Sequence, residues 1–411
     1  MSLLSLFALI TIVAVSASAQ ELPREWIDPD TGHRVIRLSE EPGSASLYFH
    51  QNAYTPDGEK LIVTTPSGLS TINLKTRTIE KVVDGRVNVI ITGKKTGDIY
   101  YAKAGVVYAT NLNTKTTREV AKLPPRASIA SVNADETLMA GIIDEGPPLP
   151  AQTSGAAPRG DNYPGKGDMM ERRLAERRPL RLITVSTQNG EVKTLLKGTD
   201  WYNHIQFSPT DPTLLMFCHE GPWHKVDRTW TIRTDGSSLT LIHHRTMNME
   251  IEGHEFFSGD GKWIWYDLQT PKSQVFWLAG FQISTGERIW YHLERSEWSV
   301  HFNVSPDGTL FAGDGGGPDS VAAPGNGQWI YLFRPEMVAD KTDGVWPNQK
   351  EFIKPGYFKA EKLVNLAKHN YRLEPNVTFT PDQKWIVFRS NMLGPTHVFA
   401  VEIAKAVVSS R

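Results

Sequence analysis

The chain is predicted to be all-β: a seven-bladed β-propeller of four-stranded blades, closed by pairing of its N- and C-terminal strands. Three observations predict it. A strand–turn–strand phrase built on Ser/Thr-Pro-Asp-Gly or a variant recurs seven times. Each copy is followed by two further strands joined by a polar turn. The chain ends one strand short of a complete last blade, and a lone strand near its start supplies the missing one.

The phrase is clearest as AYTPDGEKLIVTT from Ala53, FSPTDPTLLMFC from Phe207, FFSGDGKWIWYD from Phe256, NVSPDGTLFAGD from Asn303 and TFTPDQKWIVFRS from Thr378. Weaker copies are ITGKKTGDIYYA from Ile91 and VNADETLMAGII from Val132. Pro and Asp nucleate the tight turn, and Gly supplies a positive φ. The second hairpin of each blade reads as LSTINLKTRTIEKVV from Leu69, VYATNLNTKTTREVA from Val107 or WTIRTDGSSLTLI from Trp230. The last copy ends in HVFAVEI from His397, and DPDTGHRVIRLS from Asp28 is the strand that would join it. Closure in this way removes exposed sheet edges.

Residues 1–19, MSLLSLFALITIVAVSASA, read as a signal peptide cleaved before Gln20, leaving residues 20–411 as one propeller domain. No other stretch is apolar enough to span a membrane. Cys218 is the only cysteine, so no internal disulfide forms, and export without disulfides points to a bacterial periplasm or exterior. A net charge of −1 with no long run of one sign gives no sign of a nucleic-acid binder. An insertion at 144–178, rich in Gly, Pro and charge, reads as a loop followed by a short basic helix, and a second long connection runs from Glu336 to His369.

The chemistry-bearing residues emerge from the repeat. Four positions before the Ser/Thr of the turn stand Gln51, Asn88, His204, His254, His301 and Asn376, with only Ile129 apolar. These positions begin the inner strands, which line the central channel, so polar side chains should converge at one mouth. The second strand of each blade returns to that mouth with His219 and Glu220, Asp314, Arg389 and Asn391. His219, Glu220 and His224 lack the spacing of a zinc-protease helix, and Pro222 would break one. GDGGGPD lacks the Gly-Lys-Ser/Thr of a phosphate loop.

FCHEGPW with VDRTW after it, GHEFFSGDGKWIWY, SVHFNVSPDGTLFAGDG and LEPNVTFTPD together resemble the oligogalacturonate lyases over roughly residues 200–395. That resemblance implies a propeller that cleaves short pectin fragments, an acidic oligosaccharide partner, by β-elimination with a divalent metal, typically manganese; the more oxygen-rich donors of this chain would suit manganese or calcium. It implies His254 as the base, Arg228 as the binder of a substrate carboxylate, and His301 as a metal ligand. Where the family carries Gln and His-Pro-His, this chain has Tyr371 and Glu374-Pro375-Asn376, so the implied metal set here is His301, Glu374 and Asn376 with His369 nearby. His219, His204 and Arg389 are then expected to shape the substrate pocket. Two other readings are a lyase acting on a different uronate polymer and a non-catalytic scaffold similar to TolB-type propellers.

Overall fold

A computed structural model describes residues 22–147, 165–318, 326–341 and 346–406. Among them the strands assemble seven blades around a channel. The signal-peptide reading of residues 1–19 lies outside the described residues.

The recurring turn forms because its side chains replace missing backbone partners. In blade 5 the Ser258 hydroxyl donates to Asp260 at 2.6 Å and accepts the Trp263 N–H at 3.0 Å, while Asp260 accepts the Lys262 N–H at 3.1 Å. Ser305–Asp307 and Thr380–Asp382 repeat the arrangement in blades 6 and 7. Gly261 and Gly308 hold φ of 70° and 74° at the corner, and Gln383 takes the same place at 59°. Short polar side chains that bond locally are what make such turns self-sufficient.

Closure occurs as the termini predict. His33–Arg37 pairs antiparallel with His397–Lys405, matching Val35 with Val401 and Ile36 with Ala400. A further strand, Glu25–Ile27, adds a fifth member to that blade. Between blades the apolar faces interlock. Phe256, Phe276, Trp298, Phe302, Phe311 and Phe333 form one such layer between blades 5 and 6.

Two features depart from the simple repeat. The connection expected over 336–369 is largely strand: Trp329–Met337 and Ile353–Asn365 form a long outer hairpin of blade 6. Residues 353–357 also pair in parallel with Arg288–Leu293 of blade 5, tying the two blades together. The sequence IKPGYFKAEKLVN hides this strand, because Pro, Gly and three Lys interrupt its alternation. Blade 1 is the other exception. Its innermost strand is only Ala45–Ser46, after which the chain leaves the ladder and crosses the channel. In the 144–178 insertion the described helix is Gly165–Glu176, as the sequence suggests. Glu171 pairs with Lys225, and the Arg173 guanidinium stacks 3.5 Å from the Trp201 ring, so the helix is seated on blade 4. Among the described residues no helix is long and apolar enough to cross a membrane.

Candidate active site

The inner strands of blades 4 and 5 each break register just where the sequence places a histidine. Pairing slips between Asn203 and Gln206 and between Gly253 and Phe256. His204 and His254 sit in these bulges with φ of 46° and 48°, and Asn376 in blade 7 has φ of 56°. Left-handed backbone costs a non-glycine residue roughly 1–2 kcal/mol. Bulges re-aim side chains and concentrate beside active sites. Here the bulge lets consecutive residues serve different places. His254 faces the mouth with a fifth of its side chain exposed, while Glu255 is fully buried against blade 4.

Blades 5 and 6 present two matching His–Asp pairs. His254 Nδ1 lies 2.7 Å from Asp267 and His301 Nδ1 lies 2.8 Å from Asp314, each partner thirteen residues on, at the end of the second strand. Asp314 also accepts the backbone N–H of His301 at 2.8 Å and of Asn376 at 3.1 Å. A carboxylate on Nδ1 fixes the tautomer and leaves Nε2 as the outward acceptor. The two imidazoles meet edge to face with centroids 4.7 Å apart.

Blade 4 carries the same histidine position with a different partner. Cys218, opposite Asn203, stands where Asp267 stands opposite Gly253. His204 lies 3.5 Å from Glu220 and 3.9 Å from Glu255, and its Nδ1 is buried without a hydrogen bond. Burial pushes its pKa down to about 4 against the pull of Glu255. Beneath it, Arg228 is 2% exposed and bridges both acids, 2.8 Å from Glu220 and 2.9 Å from Glu255.

His204, Cys218 and Glu220 lie within 4.8 Å of one another, the spacing of a metal site. The charges argue against one there. Arg228 already neutralises Glu220, and burial pushes the Cys218 thiol well above its ordinary pKa, so it keeps its proton. Around His301 the donors suit a cation better. Glu374 approaches Nε2 to 3.7 Å, and Asp314 orients the ring from behind as partners of metal-bound imidazoles do.

The remaining sequence candidates are only partly brought together. Asn376 is fully buried and spends its amide on backbone, accepting from Phe49 N–H at 3.2 Å and donating to Glu374 C=O at 3.0 Å. His369 bonds Ser390 Oγ at 2.9 Å and Leu373 C=O at 2.6 Å, so both its ring nitrogens are committed within blade 7. That leaves His369 no open ring nitrogen and turns the Asn376 amide toward backbone in this arrangement. Arg228, expected to bind a substrate carboxylate, is instead engaged by two protein carboxylates. Arg389 donates through Nε to Glu374 C=O at 2.8 Å and lies near enough to Glu374, Tyr48 and Asp314 for their charges to act on it. His219 stacks at the rim on Trp230 and Tyr202, centroids 5.2 and 5.5 Å away. Gln51 bonds Ile90 C=O and Asn88 is exposed, so neither joins the cluster.

Counting back from the turns missed Tyr48 and His50, because blade 1 departs from the repeat before reaching them. Tyr48 Oη lies 3.3 Å from His301 Nε2, and burial together with Glu374 and Glu255 holds its phenol well above its ordinary pKa. His50 is pushed down to about 3 by burial. It lines, with the turn residues of several blades, a cavity of about 680 Å³ that fills the channel on the turn side. Asp267 was legible in principle: two adjacent repeats each show His and Asp thirteen apart.

These depressed histidines make stability pH-dependent. His50 and His204 are held neutral in the fold, whereas the unfolded chain protonates them near pH 6.5. Between pH 6.5 and about 4 the unfolded state therefore binds more protons, and stability falls as pH falls through that window. A His204→Gln variant should show a flatter decline of melting temperature from pH 7 to pH 4 than the unaltered chain. Parallel curves would show that His204 is not held neutral.

Comparison with known proteins agrees with the geometry. A sequence model of the family described as oligogalacturonate lyase matches residues 170–407. The oligogalacturonate lyase of Dickeya dadantii (strain 3937) is 26% identical over 405 residues, covering 92% of this chain and 96% of that protein. An oligogalacturonide lyase of Pectobacterium atrosepticum is 27% identical over 244 residues, covering 55% of this chain and 56% of that one. A solved oligogalacturonate lyase in complex with manganese superposes with a TM-score of 0.74 at 22% identity, covering 93% of this chain and 96% of its own. One from Vibrio parahaemolyticus gives 0.73 at 20%, with the same coverage. With the family model spanning more than half of the chain and the fold shared along nearly all of it, this protein belongs to the oligogalacturonate lyase family and is a polysaccharide lyase.

Proposed function

We propose that this chain cleaves oligogalacturonate by metal-assisted β-elimination, acting outside the cytoplasm after removal of residues 1–19. The observation that carries the mechanism is the pair of His–Asp dyads on adjacent blades, with their imidazoles 4.7 Å apart.

The proton on C5 of a uronate is acidic because it lies next to the carboxylate. Its removal needs an acceptor at neutral pH and compensation for the charge that builds on the carboxylate. His254 supplies the acceptor. Asp267 keeps the imidazole proton on Nδ1, so the Nε2 lone pair faces the site. Arg389, whose guanidinium sits beside Glu374, supplies positive charge. His301 and Glu374 would hold the divalent cation, which when bound supplies further neutralisation of the substrate carboxylate. His204, kept neutral by burial, and His219, stacked at the rim, shape the pocket without adding charge. Loss of the C5 proton to His254 then drives the electron pair into a C4–C5 double bond as the C4–O bond breaks; the departing oxygen takes a proton from water and leaves as a hydroxyl, and His254 gives its proton back to solvent. The product is a 4,5-unsaturated uronate.

The test is a panel of galacturonate, glucuronate and mannuronate oligomers, following the ultraviolet absorbance of the conjugated product. Galacturonate oligomers should give the fastest rise. EDTA should abolish it and added manganese restore it. No absorbance from any uronate would remove the reading. Preference for another uronate would instead favour a lyase of different polymer specificity, which the replacement of family histidines by Glu374 and Asn376 makes worth including.

A further inference from the structure

Resting on the elimination just described, we infer that Tyr48 is a positioning residue of this site, carried on a segment of blade 1 that crosses the channel and clamps His301 beside His254. Residues 47–51 leave blade 1 after Ser46 and touch five other blades. Phe49 N–H donates to Asn376 of blade 7, and Phe49 C=O accepts from Asn303 of blade 6 at 3.2 Å. Gln51 reaches Ile90 C=O of blade 2 at 2.8 Å and folds back on Tyr48 N–H at 3.0 Å. The Phe49 ring is 1% exposed, 4.8 Å from the His301 ring and 6.4 Å from that of His254. The Tyr48 ring meets His301 edge-on at 5.3 Å and His204 of blade 4 at 5.9 Å.

His301 is thus held on three sides. Asp314 fixes Nδ1, Phe49 lies along the ring, and the Tyr48 hydroxyl stands 3.3 Å from Nε2, on the side from which Glu374 approaches, where it limits the ring's rocking without taking the place of a bound cation. Blades of a propeller touch mainly their neighbours, so the spacing between imidazoles on different blades would otherwise follow small shifts of whole sheets. A strap across the mouth couples them directly. The same strap lines the 680 Å³ turn-side cavity through Phe49, His50 and Gln51, and His204, His254 and His301 are not among the residues lining it.

Tyr48→Phe removes only the hydroxyl and keeps the ring contacts, so it isolates the positioning effect from packing. Partners that orient a site imidazole cost about 10–100-fold when removed. The expected result is a fall of that size in kcat, with KM within about threefold and an unchanged melting temperature. Tyr48→Ala should lose more, because the edge contacts to His301 and His204 go as well. A Tyr48→Phe protein with unaltered kcat overturns the inference, as does a loss that merely tracks a lowered melting temperature. Imidazole nitrogen resonances of the full chain give a readout without turnover: the His301 Nε2 signal should move in Tyr48→Phe while that of His369 stays. An unmoved His301 signal overturns the inference even if no uronate proves to be a substrate, and a moved signal supports it in that case too, so the two readings fail separately.

Discussion

His254→Ala should fold with normal stability, bind substrate with little change in KM, and lose on the order of 10²–10⁴-fold in turnover. Packing gives the first half of that expectation. The side chain is one-fifth exposed at the channel mouth, and its removal opens the site without leaving an apolar cavity. The dyad gives the second half. Asp267 at 2.7 Å holds the ring with its acceptor outward, whereas the carboxylates nearest Nδ1 of the part-exposed His219 and His204 lie at 3.9 Å, beyond hydrogen-bond distance. His301 has the carboxylate but is fully buried, and His204 has no hydrogen bond on Nδ1. Asp267→Asn should fall in the same direction, since an amide offering N–H to Nδ1 reverses the tautomer and turns Nε2 into a donor. Steady-state rates of unsaturated product formation decide it. A His254→Ala enzyme with ordinary kcat would show that the base lies elsewhere, and His204 would be the next position to replace.

How far the sequence foretold this site follows from what kind of interaction builds each part. The blades were legible because their defining turn is local: Ser258, Asp260 and Gly261 satisfy one another within six residues, and the same three side-chain roles recur in blades 6 and 7. Register then carried His254 and His301 to the same mouth, since equivalent positions of equivalent strands must share a level. What stayed hidden depends on contacts far apart in the chain. Asn376 looked like an open amide, but its backbone N–H reaches Asp314, 62 residues away, and its side chain is consumed by Phe49 and Glu374. Nothing in its neighbourhood in sequence announces Asp314 or Phe49. Tyr48 escaped for the opposite reason. It lies just past an inner strand that ends at Ser46, where the chain leaves the ladder well before the turn, so the rule that located the histidines points past it to Gln51.

Arg228 gives the second large effect, on stability. Replacing it by Met should cost about 3–5 kcal/mol, because removing one partner of a buried ion pair strands the other's charge. Here two charges would be stranded. Glu220 and Glu255 have 6% and 0% of their side chains exposed, and Arg228 is their shared counter-ion. Burial alone would push the Glu255 carboxyl up; Arg228 and His204 outweigh it and hold the group below its ordinary value. A depressed carboxyl stabilises the fold above its unfolded pKa, and that contribution disappears as pH falls through the folded value. Arg228→Met removes the main cause of the depression, so the Glu255 contribution at neutral pH should vanish with it. Adding Glu255→Gln to Arg228→Met should recover part of the loss, since a neutral amide needs no cation. Chemical denaturation at pH 7 and pH 4 measures both points. The single variant should unfold at much lower denaturant at pH 7, and the gap to the unaltered chain should narrow at pH 4. An Arg228→Met protein that keeps its midpoint but loses its affinity for uronate would mean that the guanidinium leaves its two acids to take the substrate carboxylate, the role that the resemblance implies, and that the buried triad contributes little to the fold.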